Sequence, residues 1–196
     1  KKQLWKNIIE HKIMNQSLLL KKQGKKWKIV HDYSKEVLSD DSTNREGVAA
    51  KKYWSQIMPT TLFKRDYEGS YPNNYLNYGY AILRAATARS LTSSGLLPII
   101  GVHHKNQYNP FCLADDIMEP YRPFIDEKVI DIIIENPEEI ELTKDIKAEI
   151  CKSLTCDTRF SGYQRPMLMA IQETTSSLAK SFLENSNMIR FPKIIV

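Results

Sequence analysis

Between His103 and Glu119 the chain gathers His103, His104, Asp115, Asp116 and Glu119 within seventeen residues. Imidazole nitrogens mixed with carboxylate oxygens suit manganese and, at weaker affinity, magnesium, whereas zinc more often draws on cysteine or several histidines. Asp116 and Glu119 are three apart on a short predicted helix, so their side chains leave it ~60° apart and can face one ion. The same residues have a plainer reading. Acidic residues early in a helix complement its dipole, and paired loop histidines often face only solvent. Local spacing therefore leaves a metal site and a solvated surface both open.

Glu46 is a further acidic candidate, and its local context explains it without any chemistry. Thr43 followed three residues later by Glu46 matches a capping box, which places Glu46 in a first helical turn. Lys105, directly after the histidine pair, is suited to a phosphate contact. Arg84 and Arg89 sit in an apolar helical pattern, where pairing with acids or capping carbonyls is their expected role. Cys112 reads as a small buried apolar residue, since nothing nearby would activate it as a nucleophile.

These residues have to be positioned by helices. Apolar residues at helical spacing mark a basic amphipathic helix over 3–22, ending in the turn around Gly24, and a second over 28–39. A third follows the polar run SDDSTN. The segment TTLFKRDYEGSYPNN, residues 60–74, reads as a loop before a helix capped at Asn73 or Asn74. That helix, YLNYGYAILRAATARSLTSSG, is small and apolar around nearly its whole circumference, which predicts a central buried element ending at Gly95. LLPIIGVHHKNQYNP is extended or looped. Asn109 and Pro110 start the helix FCLADDIME, which Pro120 closes or kinks. Helices over about 123–135, 143–154 and 165–185 complete the outline, and no strand is assigned. The expectation is one all-α domain: a basic helix and turn over 1–26, a metal-site core over 43–123 and C-terminal helices over 124–196.

Composition excludes several classes. No apolar run approaches the ~20 residues that span a bilayer, and no signal peptide is visible, so a cytoplasmic protein is expected. The sequence opens without a methionine, which points to a fragment or a processed chain. Three cysteines form no CxxC pair and no even set, which argues against a disulfide framework or a structural zinc. Net charge is +5, yet the first thirty residues hold nine lysines against one glutamate, so the positive charge is local. Lys21, Lys22, Lys25 and Lys26, with Lys105, are the candidates for phosphate contact. There is no Gly-rich phosphate loop and no internal repeat.

Three ordered blocks between residues 44 and 123, NREGVAAKKYW, LNYGYAILRAATARSL and GVHHKNQYNPFCLADDIMEPYRP, resemble the CRISPR-associated spacer-acquisition endonuclease/integrase. NPFCLADDIMEPYRP, LWKNIIEHKIMNQ and SGYQRPML look most like its type II subfamily, while the last dozen residues, ending FPKIIV, carry no such signal. The resemblance implies a helical catalytic domain whose Mn2+ or Mg2+ is held by Glu46, His104 and Glu119, with Asp116 at an acidic position nearby and His103 outside the ligand set. It also implies double-stranded protospacer and CRISPR-repeat DNA as substrates, a small ferredoxin-like adaptation partner, and homodimerisation in the full-length protein. The family's N-terminal β-strand domain has no counterpart here. Two rivals stand beside it: a non-catalytic DNA-binding or scaffolding module, and a helical metal-dependent phosphohydrolase, for which four histidines are few.

Overall fold

Helix α1 (Lys2–Lys22) forms where Leu4, Trp5, Ile8, Ile9, Ile13, Leu19 and Leu20 recur at helical spacing, and all seven are buried. Burying an isoleucine contributes roughly 1.5–3 kcal/mol, but a polar group on the same face adds a penalty unless it is bonded. Asn15 meets that demand. Its Nδ2 donates to Pro120 O at 2.7 Å and Pro192 O at 3.0 Å, and its Oδ1 accepts from Ile194 N at 3.2 Å. The basic N-terminal helix thus packs across the domain as part of its core. The computed structural model describes residues 1–59 and 63–196, so positions 60–62 of the predicted loop lie outside the described residues.

Helix α2 (Lys28–Lys35) is shorter than the 28–39 expected. Glu36 N bonds Tyr33 O, a tightening i to i−3 contact, and Leu38 then turns extended before a 3-10 turn at Ser39–Asp41. Asp40, Asp41 and Asn44 all take positive φ, which short polar side chains tolerate best. Helix α3 (Arg45–Ile57) follows. Its cap is Asn44 and not Thr43: Asn44 Oδ1 accepts from Gly47 N at 3.2 Å, and the Asp41 carboxylate takes Arg45 N and Glu46 N. The orphan amides are thereby occupied, and Glu46 is released from the capping box.

Helix α4 (Asn73–Ser93) packs against α5 (Cys112–Met118), α6 (Arg122–Glu135), α7 (Lys144–Cys151) and α8 (Met167–Leu183). It is central but not buried all round, since Ala81, Arg84, Ala85 and Arg89 face outward. Its start is not capped by Asn73 or Asn74. Pro72 precedes it without a side-chain cap, and Asn73 instead bonds Arg65, Asp66 N and Lys64 O to hold the preceding loop. Gly95, at φ +76, ends the helix as expected.

Two short strands, β1 (Asp157–Phe160) and β2 (Tyr163–Pro166), were not foreseen. Ser161 and Gly162 both take positive φ, a two-residue hairpin turn, and an Arg159–Lys193 bridge lays the chain end beside the hairpin. Only Thr158 and Phe160 of these strands are buried, too few to make a period-two pattern visible. The uninformative last dozen residues thus acquire a role, with Ile189, Phe191 and Ile194 buried. The fold is otherwise helical, and among the described residues no helix is long and apolar enough to cross a membrane.

Helices α4 and α6 touch closely at Gly79, where a Cβ would come within 2.4 Å of Ile125 Cγ2. Gly79→Ala should destabilise the protein by about 1–3 kcal/mol in urea unfolding, despite alanine's better helix propensity. A variant as stable as the parent would refute this account of the packing.

Candidate metal centre

Glu119 sits where α5 ends. Pro120 has no N–H to extend the ladder, and the chain tightens into a 3-10 turn at Glu119–Tyr121 before α6 begins. That turn buries the Glu119 carboxylate to 6% exposure, with Arg122 Nε on Oε1 at 2.8 Å and Lys12 Nζ 2.6 Å from Oε2. Burial pushes Glu119 up in pKa, and Arg122 and Lys12 more than reverse it, so the net shift is downward and the group stays ionised. Glu46 arrives from the first turn of α3, with Oε1 2.5 Å from the same Lys12 Nζ.

His104 is placed by a loop folded onto one carboxylate. Asp116, with no exposed side-chain surface, accepts from Val102 N at 2.6 Å, His103 N at 3.0 Å and His104 N at 3.2 Å, and lies 2.6 Å from His104 Nδ1. A Cβ on Gly101 would stand 2.3 Å from His104 O, so only glycine lets the loop close this tightly. Beneath it Trp5 of α1 stacks on His103 at 4.2 Å and meets His104 edge-on at 6.0 Å. Asp116 thereby fixes the imidazole through Nδ1 and leaves Nε2 as its lone-pair nitrogen. The hydrogen bond to Asp116 is also the main cause that raises His104 above the ordinary histidine value.

Lys12, Gln16, Glu46, His104, Glu119 and Arg122 all line one cavity of about 370 Å³. Asp116 is not among the residues that line it, and its two oxygens meet three loop amides and His104 Nδ1, which makes it a support for His104. Two hard carboxylates and an imidazole nitrogen fit the manganese or magnesium that the resemblance implies. Gln16 Oε1 adds to that fit, because it is buried on the cavity wall without a hydrogen-bond partner. Among the described residues, no three His, Cys, Asp or Glu side chains yet stand close enough to chelate an ion.

Sequence reasoning missed Lys12, Gln16 and Trp5. The available signal was polar residues on the apolar face of α1, where Lys12 and Gln16 are one turn apart. Arg84 pairs with Asp115 at 2.7 Å, as a structural role required, and Cys112 is buried. Lys105 is exposed beside the histidine loop. Lys25 and Lys26 line an open basic pocket of about 450 Å³ with Trp27, Lys28, Ile29 and Lys52, while Lys21 lies over the Trp27 ring and Lys22 pairs with Glu127. This patch lies at the far end of α1, about 15 Å along the axis from Lys12.

Residues 1–146 match the family model described as CRISPR associated protein Cas1. The chain belongs to the Cas1 family. A CRISPR-associated endonuclease Cas1 from Neisseria meningitidis is 36% identical over 198 residues, covering 100% of this chain and 64% of that relative. The chain therefore spans less than two thirds of that Cas1 protein's length. Among solved structures, a casposase bound to integration product has the same fold, with TM-score 0.79, 23% identity, and coverage of 99% of this chain and 68% of the other. A Cas6-RT-Cas1–Cas2 complex matches with TM-score 0.74 and 20% identity, covering 97% of this chain and 25% of that one.

Since Asp116 favours the imidazolium, the stabilisation it gives is complete below the ordinary histidine pKa and is lost as pH rises through the raised value. Asp116→Asn should lower the His104 titration midpoint, read from imidazole NMR shifts against pH. A midpoint unmoved by the substitution would show that another group sets it.

Proposed function

We propose that this Cas1-family chain carries the helical catalytic part of a divalent-metal-dependent DNA endonuclease/integrase acting in spacer acquisition in the cytoplasm, most similar to the type II subfamily. One observation carries the reading: Glu46 from α3, His104 from the loop before α5, and Glu119 from the turn after it line a single cavity with Arg122. The reaction is phosphodiester cleavage and strand transfer, in which the 3′-hydroxyl of a captured DNA fragment attacks a phosphodiester of the CRISPR repeat.

Glu46 and Glu119 would hold Mn2+ or Mg2+ through hard oxygens, and neutral His104 would add a nitrogen without cancelling further charge. Such an ion supplies charge neutralisation at phosphorus, polarisation of a non-bridging oxygen and a lower pKa for the attacking hydroxyl. Arg122 is held in place by Glu119 and by the Tyr80 ring at 4.5 Å, so its guanidinium adds fixed positive charge to the wall facing a phosphate. Burial draws the Asp126 carboxyl up to about 6, and it receives the hydroxyls of Tyr53 and Tyr80, which fixes the ring under Arg122. Lys21, Lys22, Lys25 and Lys26, with Lys105, would follow the phosphate backbone. A small Cas2-like adaptation partner and a second copy of the full-length protein complete the proposed assembly.

The non-catalytic DNA-binding alternative draws on Lys12, which pairs both carboxylates. Calorimetric titration with Mn2+ separates the two readings: binding lost with Glu119 favours the enzyme.

Glu46→Ala, His104→Ala and Glu119→Ala are each expected to abolish Mn2+-dependent cleavage of double-stranded DNA while leaving far-UV circular dichroism unchanged. Full activity in all three would defeat the assignment. Charge reversal of Lys21, Lys22, Lys25 and Lys26 should weaken DNA binding and flatten its dependence on salt, since fewer counterions are released. An unaltered salt slope would remove the patch from the interface.

A further inference from the structure

Lys12 stands in the middle of α1, among Ile8, Ile9 and Ile13, with its side chain only 11% exposed. Its ammonium reaches Glu46 Oε1 at 2.5 Å and Glu119 Oε2 at 2.6 Å, the carboxylates from two different elements assigned above to the ion. One ammonium therefore bridges two carboxylates, one of which, Glu119, also holds Arg122. Glu119 Oε2 has that ammonium as its sole close partner, while Oε1 is taken by Arg122. One turn further along α1, Gln16 Oε1 is buried, lines the same cavity and has no hydrogen-bond partner. An unpaired buried acceptor is costly, and Gln16 Oε1 beside an ammonium shared by two carboxylates leaves a cavity that a more highly charged cation would satisfy better.

We propose that Lys12 is a built-in stand-in cation: it holds Glu46 and Glu119 together in the metal-free protein and has to be displaced from between them before a divalent ion binds. Helix α1 then sets the threshold concentration and the charge class of the ion, since a monovalent cation gains nothing over an ammonium already in place. The inference rests on the metal reading of Glu46 and Glu119, and its direction is the opposite of what a purely structural lysine would give. Loss of a merely structural lysine loosens the site and weakens metal binding. Loss of a competitor tightens it.

The test is Mn2+ binding by calorimetry, paired with thermal unfolding in chelator and in Mn2+, for the parent, Lys12→Met, Lys12→Gln, Lys12→Arg and Glu119→Gln. Both neutral variants should melt below the parent in chelator, bind Mn2+ roughly tenfold or more tightly, and gain more in Tm from the ion. Lys12→Gln keeps a polar, uncharged side chain at the site if methionine proves too disruptive. Lys12→Arg, which preserves the charge, should stay within a few-fold of the parent. Equal or weaker binding by both neutral variants overturns the proposal, and so does tightening by Lys12→Arg, which would assign the effect to packing. Glu119→Gln keeps the two readings apart. If it abolishes Mn2+ binding while the lysine variants fail, the metal site stands and only the competition is wrong; if parent binding is absent or indifferent to Glu119, the metal reading falls and takes this one with it.

Discussion

Two carboxylates from separate elements cannot be brought into a largely buried cavity unless a cation meets them, because burial and mutual repulsion both oppose their ionised forms. In this chain Lys12 meets both, and Arg122 meets Glu119 as well. The contacts of Lys12 to Glu46 and Glu119 join α1, α3 and the turn after α5 at one point. Lys12 and Glu119 are buried while Glu46 is partly exposed, so the contact between Lys12 and Glu119 is the costlier of the two to break. Burial lowers the lysine's pKa, but the two carboxylates overcome that and leave it raised, which keeps the ammonium charged.

The rest of the site is organised so that only the carboxylates are shared. Asp116 commits its oxygens to three backbone amides and an imidazole, which ties a loop without regular structure to α5. Trp5 supports that loop from below and ties it to α1. Arg122 is aimed by Glu119 on one side and Tyr80 on the other, while Asp126 fixes the Tyr80 hydroxyl. His104 and Arg122 are thus each oriented by a second group behind them, the usual requirement for a site whose chemistry depends on placement.

The helices were readable because the apolar periods of α1, α4 and α8 are long and the stop signals at Gly24, Gly95 and Pro120 act locally. The hairpin was not, because strands of four residues with two buried side chains carry no period. The capping box at Thr43 failed for a related reason. Asn44 and Asp41 compete for the same amides, and a chain already turned by left-handed Asp40 and Asp41 presents them first.

By itself the sequence determined the helical class, the clustering of His103 to Glu119, and, through its ordered blocks, the Cas1 resemblance and the choice of Glu46. These are matters of spacing along one chain. Tertiary structure alone decided that Asp116 is a support, that Glu46 is free of its cap, and that Lys12, more than a hundred positions from Glu119, lies between the carboxylates. Spacing cannot reveal a contact made by packing one helix across others. Nor can it tell a lysine on a solvated face from one whose ammonium bridges two acids carried in by other elements.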